Sequence, residues 1–131
     1  MDKVNIGIIG VGRFGKNYFR TFNELEDADV TWICSNTLNT LKEESLISNS
    51  KIKTTIDNDD ILNDDSVDAV AIATPATTHY KIARDALNAG KHVIVEKPLT
   101  LSSKDVEDLI KISNENKKIL MVGHIHRYNP G

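Results

Sequence analysis

Six short apolar runs alternate with amphipathic stretches along this chain, and that alternation limits its fold more than any other feature. Val4-Asn5-Ile6-Gly7-Ile8-Ile9 comes first and ends in glycines, the pattern of a strand buried on both faces. Phe14, Tyr18, Phe22 and Leu25 then recur at helical spacing with polar residues between them, which predicts one amphipathic helix lying on a sheet. Val30-Thr31-Trp32-Ile33-Cys34 reads as the second strand, followed by a polar helix around Leu38, Leu41 and Leu46. Residues 51–56 make a weaker strand, and residues 57–65 an acidic stretch with one short helix around Ile61-Leu62.

Asp68-Ala69-Val70-Ala71-Ile72-Ala73 is the strongest strand pattern. The helix after it carries Ile82, Ala83, Ala86 and Leu87 on one face and stops at Gly90, which is free to take the left-handed conformation. His92-Val93-Ile94-Val95 is the fifth strand. Ser102 or Ser103 caps a helix expected to bury Val106, Leu109 and Ile110, and Ile119-Leu120-Met121-Val122 is the sixth strand. Such alternation predicts an α/β fold, a doubly wound parallel sheet (Rossmann fold) with helices on both faces. Its ligands bind beyond the carboxyl ends of the strands, where the strand order reverses. The 131 residues suffice for one domain and not two.

Gly10-Val11-Gly12-Arg13-Phe14-Gly15 falls in the first such turn. Gly10 allows a sharp exit from the strand, Gly12 lets a pyrophosphate approach the backbone, and Gly15 lets the helix pack closely. The helix N-terminus then offers free N–H groups to the phosphates. A preceding strand and a following amphipathic helix supply the context that a G-x-G-x-x-G motif needs to be read as a dinucleotide loop. Cofactor choice falls to the end of the second strand, where a carboxylate would bond the adenosine ribose. Here Ser35, Asn36 and Thr37 stand instead, each able to donate to a ribose phosphate. The cofactor is therefore NAD or NADP, with the balance leaning to NADP. Cys34 reads as a packed strand residue.

Glu96-Lys97-Pro98 follows the fifth strand. The residues alone leave two readings open: Lys97 reaches across the strand ends toward the nicotinamide and bonds a substrate hydroxyl, or the segment is a surface ion pair with a turn proline. His79 opens the helix after Thr74-Pro75, and either touches the cofactor or caps a helix end. His124 and His126 share a face of an extended segment, but no third ligand stands near them, so no metal is expected. Asp57-Asn58-Asp59-Asp60 lacks the calcium-loop pattern, because Ile61 and Leu62 occupy the positions where a ligand and a glycine belong.

A formal net charge of -3 with no polybasic run points away from nucleic acid and membrane surfaces. No apolar run approaches the length needed to span a bilayer, and the N-terminal stretch does not read as a secretory signal. One cysteine precludes an internal disulfide and suits a reducing cytoplasm.

Four landmarks in order carry a family resemblance: the Gly10 to Gly15 turn; Ala73-Thr74-Pro75-Ala76-Thr77-Thr78-His79; Ala89-Gly90-Lys91-His92-Val93 running into Glu96-Lys97-Pro98; and Val122-Gly123-His124 through Arg127-Tyr128-Asn129-Pro130. The chain resembles the N-terminal NAD(P)-binding domain of the Gfo/Idh/MocA oxidoreductases, and its closing segment is most similar to UDP-N-acetylglucosamine 3-dehydrogenase-like members. The resemblance implies hydride transfer between a nicotinamide cofactor and a sugar or sugar-nucleotide hydroxyl. It implies that Lys97 is the catalytic or substrate-orienting lysine. Thr74, Pro75 and His79 would line the cofactor site, with Glu96 beside the nicotinamide. Arg127, and with it His124, would lie near a domain junction. Residues 1–123 would form the dinucleotide-binding domain, and residues 124–131 would begin the connection to a C-terminal substrate domain.

That second domain would supply a substrate wall, a catalytic histidine and the contacts of a homo-oligomer, so the 131-residue chain alone would bind cofactor without turnover. Two alternatives stand beside this expectation: a stand-alone nucleotide-binding or sensor module without catalysis, and an NAD-dependent glycosidase. Gly12→Val is expected to weaken nicotinamide-cofactor binding strongly, because the new side chain takes the place of the pyrophosphate; unchanged affinity in a fluorescence titration would refute that placement.

Overall fold

In the computed structural model, residues 3–10, 18–22, 24–35, 52–96, 99–100 and 102–123 are described. They contain the strands β1 (Val4–Ile9), β2 (Ala28–Cys34), β3 (Lys53–Thr55), β4 (Ala69–Ile72), β5 (His92–Glu96) and β6 (Leu120–Gly123). Helical segments are α1 (residues 18–22), α2 (Asn58–Leu62), α3 (His79–Asn88) and α4 (Ser103–Asn116), with a single 3₁₀ turn at Ala76–Thr78. The expected Leu38, Leu41 and Leu46 helix lies outside the described residues, as does Phe14.

Every strand pairs parallel, in the order β3-β2-β1-β4-β5-β6. The chain therefore works outward in one direction to β3, crosses back, and works outward in the other, so the order reverses between β1 and β4. Residues that alternate along β4 go to opposite faces. Val70 and Ile72 join Val93, Val95, Ala83, Ala86, Leu87 and Leu109 in one buried cluster, beneath α2, α3 and α4. Ala69 and Ala71 join Ile6, Ile8, Tyr18, Phe19 and Phe22 in the other. The small alanines leave room for the three aromatic rings of α1, of which Tyr18 and Phe22 stack with centroids 5.9 Å apart.

The helix ends follow local chemistry. Asp57 caps α2 by accepting from the backbone N–H of Asp59 at 2.9 Å, so part of the acidic stretch is a capping device. Ser102 caps α4 through the Asp105 N–H. Gly90 closes the turn after α3 at φ +83°. At the amino edge of the sheet, Lys91 is buried and its Nζ donates to the carbonyls of Asp64 at 2.8 Å and Val67 at 2.9 Å.

Two expected core positions face solvent. Leu25 is 50% exposed, because the described helix ends at residue 22 and Leu25 falls in the turn that follows. Ile110 is 48% exposed; the buried stripe of α4 runs through Leu109 and Ser113, and Ile110 stands one helical step off it. β3, expected as a weaker strand over residues 51–56, runs over the three residues Lys53–Thr55 on a sheet edge.

Gly7 fills a role the sequence did not advertise. A Cβ there would stand 2.6 Å from Ile61 Cγ2, so the bare backbone of β1 is what lets α2 lie against the sheet. Gly7→Ala should therefore lower unfolding stability by about 1–3 kcal/mol, the usual cost of overpacking a filled core. A urea midpoint equal to that of the wild type would show that Ile61 moves aside freely.

Candidate functional site

The carboxyl ends of the strands share one edge, and three hydrogen bonds keep them in step past their ends. The Gly10 N–H donates to the Cys34 carbonyl at 2.8 Å, the Ala73 N–H to the Ile9 carbonyl at 2.8 Å, and the Ser35 N–H to the Thr55 carbonyl at 3.0 Å. Gly10 then leaves β1 at φ +97°. A Cβ on it would lie 2.8 Å from both the carbonyl carbon and the oxygen of Ala73, and 3.0 Å from Thr74 Cγ2. Conformation and contact both require glycine here, at the reversal of strand order.

The segment after β4 is a compact polar turn. Thr78 Oγ1 donates to the Pro75 carbonyl at 2.6 Å, and the Thr78 N–H reaches the same oxygen at 2.9 Å. Thr74 Oγ1 lies 2.6 Å from Thr78 Oγ1. His79, only 2% exposed, places Nε2 at 2.8 Å from the Thr74 carbonyl. A carbonyl only accepts, so that nitrogen carries the proton. His79 thus holds the backbone of Thr74 from beneath, while Thr74 and Pro75 form the rim.

At the end of β5, the Tyr18 hydroxyl donates to Glu96 Oε2 at 3.2 Å, and both groups are buried. Burial first, then the charge of Glu96 and the hydrogen bond to it, hold the Tyr18 proton well above the ordinary phenol range. Tyr18 entered the sequence reading only as a core residue. No pattern signals its bond to a residue 78 positions away.

Cys34 is packed and donates its thiol to Asn58 Oδ1 at 3.1 Å, and Ser35 beside it is buried. The structure thus brings Gly10, Ser35, Thr74, Pro75, His79 and Glu96 to one edge of the sheet. Gly12, Arg13, Phe14, Gly15, Asn36, Thr37, Lys97, His124 and Arg127 lie outside the described residues. Among the described residues, no helix is long and apolar enough to cross a membrane, and no three His, Cys, Asp or Glu residues group as metal ligands.

A reversed parallel sheet with a glycine-only exit from β1 and a polar rim after β4 belongs to the dinucleotide-binding class of α/β domains. Residues 4–124 match the Gfo/Idh/MocA oxidoreductase family, NAD-binding Rossmann fold, and the chain belongs to that family. It is 35% identical to the 4-carboxy-2-hydroxymuconate-6-semialdehyde dehydrogenase of Sphingobium sp. over 127 residues, 97% of this chain and 40% of that protein. It is 44% identical to the UDP-N-acetylglucosamine 3-dehydrogenase of Acidithiobacillus ferrooxidans over 64 residues, 49% of this chain and 20% of that protein. Among solved structures, a 3-ketoreductase from Actinomadura kijaniata in complex with TDP-benzene and NADP superposes with a TM-score of 0.89 at 26% identity, covering 98% of this chain and 41% of that one. The chain thus spans about two fifths of the length of the relatives it matches end to end.

Burial, and next the nearby Asp57 and Asp60 carboxylates, push the Cys34 thiol from 9.0 up to about 11. Below the unfolded value both states keep the proton and the contribution is whole. Between the two values the unfolded thiol ionises while the folded one does not, so stability falls as pH rises from about 9 toward 11. Tyr18 adds to the fall once free tyrosine begins to ionise, near 10. Urea midpoints should therefore decline across that range, and Cys34→Ala should flatten the first part. A wild-type midpoint that holds steady from about pH 9 to 10 would contradict the burial of the thiol.

Proposed function

We propose that this chain is the cofactor domain of an NAD(P)-dependent dehydrogenase acting on a hydroxyl of a sugar or sugar nucleotide. Residues 1–123 form that domain and residues 124–131 lead toward a substrate domain. The observation that carries the reading is the glycine-only position of Gly10, where a Cβ would meet the backbone of Ala73, at the junction of β1 and β4 where a dinucleotide spans the sheet. The likeness to a UDP-N-acetylglucosamine 3-dehydrogenase and to a 3-ketoreductase solved with TDP-benzene and NADP supports the substrate class.

The residues present fit a dinucleotide. In a sheet of this topology one half of the cofactor lies beyond β1 and β2, and the nicotinamide half beyond β4 and β5. Ser35 follows β2 at the place where a carboxylate would repel a ribose phosphate, which supports NADP over NAD. Thr74 and Pro75 line the nicotinamide side, with Glu96 at the end of β5. The cofactor, when bound, supplies the hydride acceptor. Oxidation of a secondary alcohol also releases a proton from its oxygen, and Lys97, next after Glu96, is the residue assigned to receive it and to orient the hydroxyl.

Titration of the chain with NADH and NADPH, followed by nicotinamide fluorescence, tests the reading. Both should bind, NADPH more tightly. Silence from both would overturn the cofactor assignment, and tighter NADH would overturn the part that rests on Ser35.

A further inference from the structure

The hydroxyl protons of the turn after β4 can be counted. The Pro75 carbonyl only accepts, so the Thr78 hydroxyl, 2.6 Å away, spends its single proton there. Thr74 Oγ1 and Thr78 Oγ1 lie 2.6 Å apart, too close for two oxygens without a proton between them. That proton belongs to Thr74, because Thr78 has no second one. The polarity therefore runs Thr74 to Thr78 to Pro75, and Thr74 Oγ1 is left with lone pairs and no free proton.

The backbone holds this arrangement in place. The Thr78 N–H also donates to the Pro75 carbonyl, at 2.9 Å. The Thr74 carbonyl is engaged by Nε2 of the buried His79. Thr74 meanwhile sits on the crevice at the strand reversal, its Cγ2 against the open side of Gly10.

We propose that Thr78 is a positioning residue that fixes Thr74 as a hydrogen-bond acceptor, so that this rim of the site selects a ligand group bearing an N–H or O–H. The inference rests on the cofactor reading above. In the nicotinamide half that chemistry has two sources: the carboxamide N–H and the ribose hydroxyls. A phosphate or a ring ketone, with no proton to give, is disfavoured at the same place. Thr78 had no part in the site as read from sequence, because its role lies in where its proton goes.

Calorimetric titration separates the possibilities, with NADP and NAD each compared with its 3-acetylpyridine analogue, in which a methyl ketone replaces the carboxamide. If the carboxamide is the donor, the wild type should prefer the natural cofactor by roughly 5- to 10-fold, the scale of one neutral hydrogen bond. Thr74→Val should then abolish that preference. Thr78→Val should narrow it, because the freed Thr74 hydroxyl can turn and donate to the ketone, and Thr78→Ser should restore it. If the ribose is the donor, Thr74→Val should weaken natural cofactor and analogue equally, by a similar factor. Wild-type affinities for all ligands in folded Thr74→Val and Thr78→Val proteins would overturn the proposal and leave the cofactor reading standing. Should either valine variant fail to fold, Thr74→Ala and Thr78→Ala carry the same expectations. A wild type that binds none of the four would overturn the cofactor reading itself.

Discussion

The close approach of β1 to β4 at Gly10 governs the rest of this edge. Gly10 leaves no room for a side chain, since a Cβ would meet the Ala73 backbone, while its N–H stays bonded to Cys34. Three strands thus meet around one residue: Gly10 is bonded to the end of β2 through Cys34, follows β1 in the chain, and lies beside the Ala73 N–H bond to Ile9 that carries the pairing with β4 past its end. Any other residue would meet both the backbone of Ala73 and the strain of a positive φ. The polar turn from Thr74 to His79 starts from that fixed point, so its hydroxyls inherit their positions from a glycine on another strand.

The two faces of the sheet are built differently, and the difference reaches the site. Over β4 and β5, branched aliphatic side chains meet the long helices α3 and α4. On the opposite face, Ala69 and Ala71 make room for Tyr18, Phe19 and Phe22. Tyr18, one of the three rings on the alanine side, is also the residue whose hydroxyl reaches Glu96. Packing brings the ring to the end of β5, and the hydrogen bond makes that placement specific. Burial of a carboxylate is costly unless its charge is met by donors, and the Tyr18 hydroxyl is one donor, supplied from α1 on the same face.

Much of the fold was legible in the sequence because a strand buried on both faces must be a continuous apolar run, and the runs here end at glycine, proline or polar residues. The six strands and their parallel order follow from that pattern and from right-handed crossovers. Exact faces were less legible. Ile110 fits helical spacing as well as Leu109 does, and only the position of the sheet decides which is covered. Gly10 could be read from its motif. Gly7 could not, since its neighbour Ile61 lies on an element more than fifty residues later. Tyr18 and Thr78 escaped for a related reason: one acts through a partner on a distant strand, the other through the direction of a proton, and neither is a spacing.

Lys91 shows how the same sheet separates stability from binding. It belongs to a motif that the family resemblance includes, yet its Nζ is turned to the amino edge, where it gathers the carbonyls of Asp64 and Val67 ahead of β4. Asp64 in turn accepts from the Ser66 hydroxyl at 2.7 Å and from the Trp32 indole at 2.8 Å, which draws its carboxyl down to about 2. One loop is thereby tied to β2 and to the start of β5. A buried lysine is tolerated when backbone carbonyls meet its charge. Because the strands are parallel, every element held at the amino edge presents its other end at the carboxyl edge. Fixing the starts of β4 and β5 therefore limits how far Thr74 and Glu96 can move apart at the far end, and a lysine remote from the chemistry helps to hold the geometry that the cofactor would meet.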